Sequence, residues 1–131
     1  MVKTYVADTN FILSSPEMLT NYDVVIPSVV LREIENLERR KGDTKLQYQV
    51  RMAKRIINDL ESVGKLKLDS DDTKTGDEID AKLDSSYADN IILTFAIKND
   101  YGLLTNDILL KFKALAYGLT VESGTLKEDV N

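Results

Sequence analysis

Lys3-Thr4-Tyr5-Val6-Ala7-Asp8-Thr9-Asn10 opens with a β-favouring run around Tyr5 and Val6 that stops at an acid followed by two small polar residues. The segment reads as a short strand, Lys3 to Ala7, with Asp8 at its carboxyl end. Tyr22 to Ile26 reads as a second strand closed by Pro27. Ser28 can then cap a helix in which Val30, Ile34 and Leu37 recur at i, i+4 and i+7 and which runs to about Arg40, where Lys41-Gly42-Asp43 stops it. Leu46 to Val63 is the most regular helical pattern, with Leu46, Val50, Ala53, Ile57 and Leu60 on one face and Gly64 after it. Lys65 to Leu68 makes a third strand, and Asp69 to Asp80 reads as a loop. Ser85 or Ser86 can start another helix, in which Ala88, Ile91, Ile92, Phe95 and Ala96 share a face and Asp89 sits in the first turn. Tyr101 to Leu104 reads as a strand, Thr105-Asn106-Asp107 as a tight junction, Ile108 to Tyr117 as a helix stopped by Gly118, and Leu119 to Val121 as a last strand.

Strands that alternate with helices require crossover connections, so the expected fold is a three-layer α/β/α domain around a parallel sheet. The chain has 131 residues, enough for one continuous core. A single domain over residues 1–121 is expected, followed by a flexible C-terminal tail over residues 122–131. No apolar stretch is long enough to cross a bilayer and no leader pattern opens the chain, which points to a soluble, cytoplasmic protein with no membrane partner. No apolar stripe in the sequence singles out an interface.

The chain contains no His and no Cys. Imidazole bases, thiol nucleophiles and Cys/His zinc sites are thereby excluded, and any catalysis must use carboxylates, hydroxyls, amines or a metal held by oxygen. The net charge of −5 argues against a polyanionic partner only if charge is evenly spread, and it is not. Arg39 to Arg55 carries seven basic residues against Asp43 alone, whereas Asp69 to Asp84 carries seven acids against Lys74 and Lys82. A net acidic chain can therefore still present a basic face. In that basic segment Arg51 and Arg55 lie one turn apart, and Tyr48 offers a ring for stacking.

Ligands of open parallel sheets bind beyond the carboxyl ends of the strands, near the point where strand order reverses. Asp8 and Asp107 follow strands at that edge, and Glu33 and Asp89 lie early in helices that start there. Four converging carboxylates repel one another unless cations enter, and an all-oxygen set suits Mg²⁺ or Mn²⁺. Each acid alone has an ordinary structural role, as a turn cap, a solvated helix residue or a dipole partner. Their joint occurrence at the right element ends is what points to a metal site.

Taken together, Val6-Ala7-Asp8-Thr9-Asn10, Ile26-Pro27-Ser28 through Glu33-Ile34, Ala88-Asp89-Asn90-Ile91-Ile92 and Leu103-Leu104-Thr105-Asn106-Asp107 resemble the four motifs of PIN domains. The resemblance is nearest in appearance to the PIN domains that precede the ATPase module in PhoH-type proteins, and covers roughly Val2 to Val121. It implies a five-stranded parallel sheet in the order 3-2-1-4-5. It implies metal-binding and catalytic roles for Asp8, Glu33, Asp89 and Asp107, with Thr9, Asn10 and Thr105 orienting ligands or substrate. Many PIN domains, toxins above all, carry an aromatic residue three positions after the last acid, where this chain has Leu110. The activity implied is a Mg²⁺- or Mn²⁺-dependent endoribonuclease with RNA as substrate. The family's toxins add two partners, a second copy in a homodimer and a protein inhibitor or antitoxin. The alternative is a non-catalytic RNA-binding or regulatory PIN-like module, or the toxin of a toxin–antitoxin pair.

Overall fold

The computed structural model describes residues 3–40, 42–70 and 88–124. Strand β1 (Thr4–Ala7) leads through α1 (Thr9–Ser14) and a 3₁₀ helix (Pro16–Asn21) to β2 (Asp23–Pro27) and α2 (Ser28–Glu38). Helix α3 (Thr44–Ser62) and β3 (Leu66–Asp69) follow, then α4 (Ala88–Asn99), β4 (Gly102–Leu104), α5 (Ile108–Ala116) and β5 (Val121–Glu122). All five strands pair in parallel, in the order β3-β2-β1-β4-β5. The chain thus builds outward from β1 on one side and returns to its other side, so order reverses at the β1/β4 seam, where Val6 faces Val25 and Leu103.

Consecutive residues of the central strands are buried: Tyr5, Val6 and Ala7 in β1, Val24, Val25 and Ile26 in β2, and Leu103 and Leu104 in β4. Such runs without alternation mean that both faces of the sheet are covered, as three layers require. Helix α3 packs on α1, α2 and β3, while α4 packs on α2, α5 and the central strands. At the edge, β3 buries Leu66 but exposes Lys67 and Leu68.

Several local expectations need correction. The sequence reading left the segment after Asp8 without structure, yet Asp8 caps α1 by accepting the Phe11 N–H at 2.7 Å, and Pro16 starts the 3₁₀ helix. Ser28 does not cap α2; Pro27 ends β2 and occupies the cap position with no side-chain bond. Helix α3 starts at Thr44, because the Asp43 carboxylate accepts the Leu46 N–H at 3.0 Å. Gly64 and Gly118 take φ of 81° after α3 and α5, the left-handed stop that a side chain would strain.

The boundary expected after Val121 falls inside β5. Beyond it, the Ser123 hydroxyl donates to the Thr105 carbonyl at 3.0 Å, and the Gly124 N–H donates to Asn106 Oδ1 at 2.9 Å. The expected helix start at Ser85 or Ser86, most of the acidic loop, and the tail from residue 125 lie outside the described residues. Among the described residues no helix is long and apolar enough to cross a membrane.

Candidate metal centre

The reversal of strand order leaves a crevice beyond β1 and β4, and the chain fills its rim with acids. Asp8 follows β1 directly, with its N–H bonded to the Leu104 carbonyl at 3.1 Å. Across the seam, Thr105 follows β4, fully buried, and donates its hydroxyl to Asp8 Oδ2. The same Thr105 oxygen accepts the Asp107 N–H at 3.0 Å. Asp107 caps α5, taking the Leu109 and Leu110 N–H groups on Oδ1 at 2.9 and 3.1 Å. One buried hydroxyl therefore couples two acids that are far apart in sequence.

Glu33 comes from the second turn of α2, and Thr9, at the start of α1, donates its hydroxyl to Glu33 Oε1. Asp89 sits in the first turn of α4. These four acids line one cleft of about 280 Å³ together with Thr9, Asn10, Asn36, Leu37 and Arg40. The structure thus brings together all four acids expected from sequence, with Thr9 and Asn10 on the wall and Thr105 behind Asp8. Arg51 and Arg55 do not join them. Both are exposed on α3, where the Arg51 guanidinium lies 5.8 Å from the Tyr48 ring centroid.

Sequence reasoning did not single out Arg40, the basic residue that does reach the cleft, or Asn36. Arg40 lies just past the end of α2, its carbonyl accepting from the Gln47 side chain. The register of α2 held a signal for Asn36, three residues beyond Glu33 on the same helical face.

Asp8 retains only 4% of its surface exposure. Burial pushes its pKa up to about 6, the charges of Asp89 and Asp107 push in the same direction, and the Thr105 hydroxyl and Phe11 N–H pull it down. Asp89 is also raised, first by burial and then by Asp107, with Lys113 opposing. The cluster is thus charge-frustrated, a strain that a bound cation would relieve. Among the described residues no group of three or more carboxylates stands close enough together to hold a metal ion as it is. The donor set still fits Mg²⁺ or Mn²⁺: every candidate is oxygen, each Asp8 oxygen has spent one lone pair, and a hard octahedral ion keeps several waters.

Fold and site define a class: a parallel α/β/α domain with an acidic cleft at its topological switch point. The chain belongs to the PIN domain family, whose pattern it matches over residues 5–125. It is 30% identical to protein PhoH2 of Thermobispora bispora over 92% of this chain, and spans 31% of the length of that relative. A domain of a functionally unknown protein from Methanocaldococcus jannaschii superposes with a TM-score of 0.66 at 18% identity, over 92% of this chain and 90% of that one. VapBC-5 of Mycobacterium tuberculosis, a member of the VapBC family of toxin–antitoxin systems, superposes with a TM-score of 0.57 at 23% identity, over 92% and 97%.

Proposed function

We propose that this chain is a Mg²⁺- or Mn²⁺-dependent endoribonuclease that hydrolyses RNA phosphodiester bonds in the cytoplasm. The observation that carries the reading is the convergence of Asp8, Glu33, Asp89 and Asp107, from four separate elements, on one cleft. Membership of a family of typical nucleases supports it. In this proposal the four acids hold the divalent cations, which when bound activate a water and neutralise charge on the scissile phosphate and the leaving oxygen.

The chain's own groups do the positioning. Thr105 holds Asp8, and through the Asp107 N–H it sets the start of α5. Thr9 holds Glu33 across the cleft. Asn10, Asn36 and Arg40 offer hydrogen-bond donors along the wall, and Arg40 supplies the positive charge that an anionic site needs to keep a polyanion. A second reading, the toxin of a toxin–antitoxin pair, draws on the likeness to VapBC-5 and adds a protein inhibitor as partner.

Cleavage of an end-labelled single-stranded RNA tests the proposal. Internal cuts should require Mg²⁺ or Mn²⁺, stop with excess chelator, and vanish in an Asp8→Asn/Asp107→Asn double variant. Undiminished metal-dependent cleavage by that variant would contradict it.

A further inference from the structure

A second recess opens where α1 and the 3₁₀ helix meet the first turns of α3. Leu13, Pro16 and Met52 line it with apolar surface, and so does Tyr48, which stays 56% exposed. The space measures about 320 Å³, at the lower end of the roughly 300–1,000 Å³ of small-ligand sites. Arg51 does not line the recess, yet its guanidinium lies 5.8 Å from the Tyr48 ring centroid, within cation–π reach. A ring has two faces, so a cation that braces one leaves the other for a ligand.

The recess continues the acidic cleft. Asn10 lines the cleft and Ser14 lines the recess. They lie one turn apart on α1, a step of about 6 Å, and the Ser14 hydroxyl donates to the Asn10 carbonyl at 2.8 Å. On the other side the Gln47 side chain donates to the Leu37 and Arg40 carbonyls. That fastens the start of α3 to the end of α2, where Arg40 enters the cleft. A strand held at Arg40 and the acids therefore brings its next nucleotides to the recess.

The polar groups of the recess suit a nucleotide. Lys45 is exposed and has no ion-pair partner among the described residues, so its ammonium is free to meet a backbone phosphate. Gln49 offers both a donor and an acceptor to a base edge. Glu17 is the one acid among the described lining residues, an acceptor for base amino groups. Single strands are bound by this combination, with bases stacked on an aromatic face and cations along the backbone. A protein segment fits it less well, because Lys is depleted where proteins meet.

We propose that this recess is a nucleobase subsite, in which a nucleotide flanking the scissile phosphate of a single-stranded RNA stacks on Tyr48 while Lys45 holds the backbone beside it. The proposal rests on the ribonuclease reading and adds where the strand runs once it leaves the cleft.

Binding of a short labelled single-stranded RNA to the non-cleaving Asp8→Asn/Asp107→Asn protein tests it. In that background Tyr48→Ala should weaken binding by about tenfold or more, the share of one stacked base, and Tyr48→Phe should restore it by returning the ring. Lys45→Ala should weaken binding and flatten the log–log salt slope by about 0.7. Phe112→Ala removes another exposed aromatic, on a helix that packs on α4 and β5, and should change nothing. All four should keep the melting temperature of the parent. RNA carrying 5-iodouridine should photo-cross-link at Tyr48. Binding that Tyr48→Ala leaves unchanged, or cross-links confined to other elements, overturns the subsite alone, leaves the recess to a protein segment, and does not touch the cleft. RNA that fails to bind the parent protein at all overturns the subsite together with the RNA reading on which it rests.

Discussion

Thr105 donates its hydroxyl to Asp8 Oδ2 from full burial, 97 residues away in sequence. Because the same oxygen accepts the Asp107 N–H at 3.0 Å, Thr105 ties the end of β1 to the start of α5. Thr105→Val keeps the shape and removes both bonds. It should destabilise the protein by roughly 1–3 kcal/mol, since it strands a buried carboxyl and an N–H. The Asp8 pKa should rise further, because the lost hydroxyl is the main influence lowering it. Denaturant unfolding and carboxyl NMR titration read the two effects, and an unchanged Asp8 titration would show that the bond does not hold the acid.

The raised pKa of Asp8 makes apo stability depend on pH in a stated direction. Its folded value of about 6 exceeds the ordinary 3.8, so the fold favours the protonated form. That contribution is fully present below pH 4 and is lost as pH rises through 6, amounting to at most roughly 3 kcal/mol by pH 8. Melting of metal-free wild type from pH 4 to 8, compared with Asp8→Asn, should show the larger loss in the wild type, the raised Asp89 leaving a residual loss of the same sign in the variant. Mn²⁺ requires the carboxylate, so the melting shift that it produces should grow across the same range.

Capping and cation binding fall on the same residue at Asp107, and two substitutions separate them. Asn retains a side-chain oxygen for the Leu109 and Leu110 N–H groups, whereas Ala does not. Asp107→Ala should cost about 1 kcal/mol of apo stability. Asp107→Asn should leave apo stability equal or higher, because the charge pressing on Asp8 and Asp89 is gone. Both should lose most of the Mn²⁺-induced rise in melting temperature. A full rise in Asp107→Asn would make this residue a cap and nothing more.

The basic residue that matters for RNA should be Arg40. It lines the cleft, while Arg51 and Arg55 do not. With the metal site disabled, Arg40→Ala should weaken RNA binding and flatten the log–log salt slope by about 0.7, the share of one phosphate contact on a single strand. Arg51→Ala/Arg55→Ala should do less. If the double substitution has the larger effect, RNA runs along α3 and the cleft assignment of Arg40 is wrong.

What could be read from sequence followed from where backbone geometry constrains residue type. Asp8, Asp89 and Asp107 were legible because acids at strand ends and in first helical turns stand beside recognisable β-runs and helical periods, and sheet order came with the PIN resemblance. Helix α1 was not legible: Phe11, Ile12 and Leu13 are all buried, so no amphipathic period exists over so short a segment. Its one signal was Asp8 three residues before Phe11, an N-cap spacing. Arg40 was hidden within a basic segment whose density says nothing about direction. Only the end of α2 turns Arg40 toward the acids and leaves Arg51 and Arg55 on the solvent side of α3.

The proposed cation site draws on four carboxylates from four elements, acting as one. Calorimetric titration of Mn²⁺ into the metal-free protein at pH 7.5 measures it most directly, alongside Asp8→Asn, Glu33→Gln, Asp89→Asn and Asp107→Asn. Binding should be saturable in wild type, and each single substitution should weaken it by about tenfold or more, since all four share the same ions. Wild-type affinity preserved in any one of the four removes that acid from the site, and preservation in Asp8→Asn, the acid held most rigidly between Thr105 and Phe11, would contradict the account as a whole.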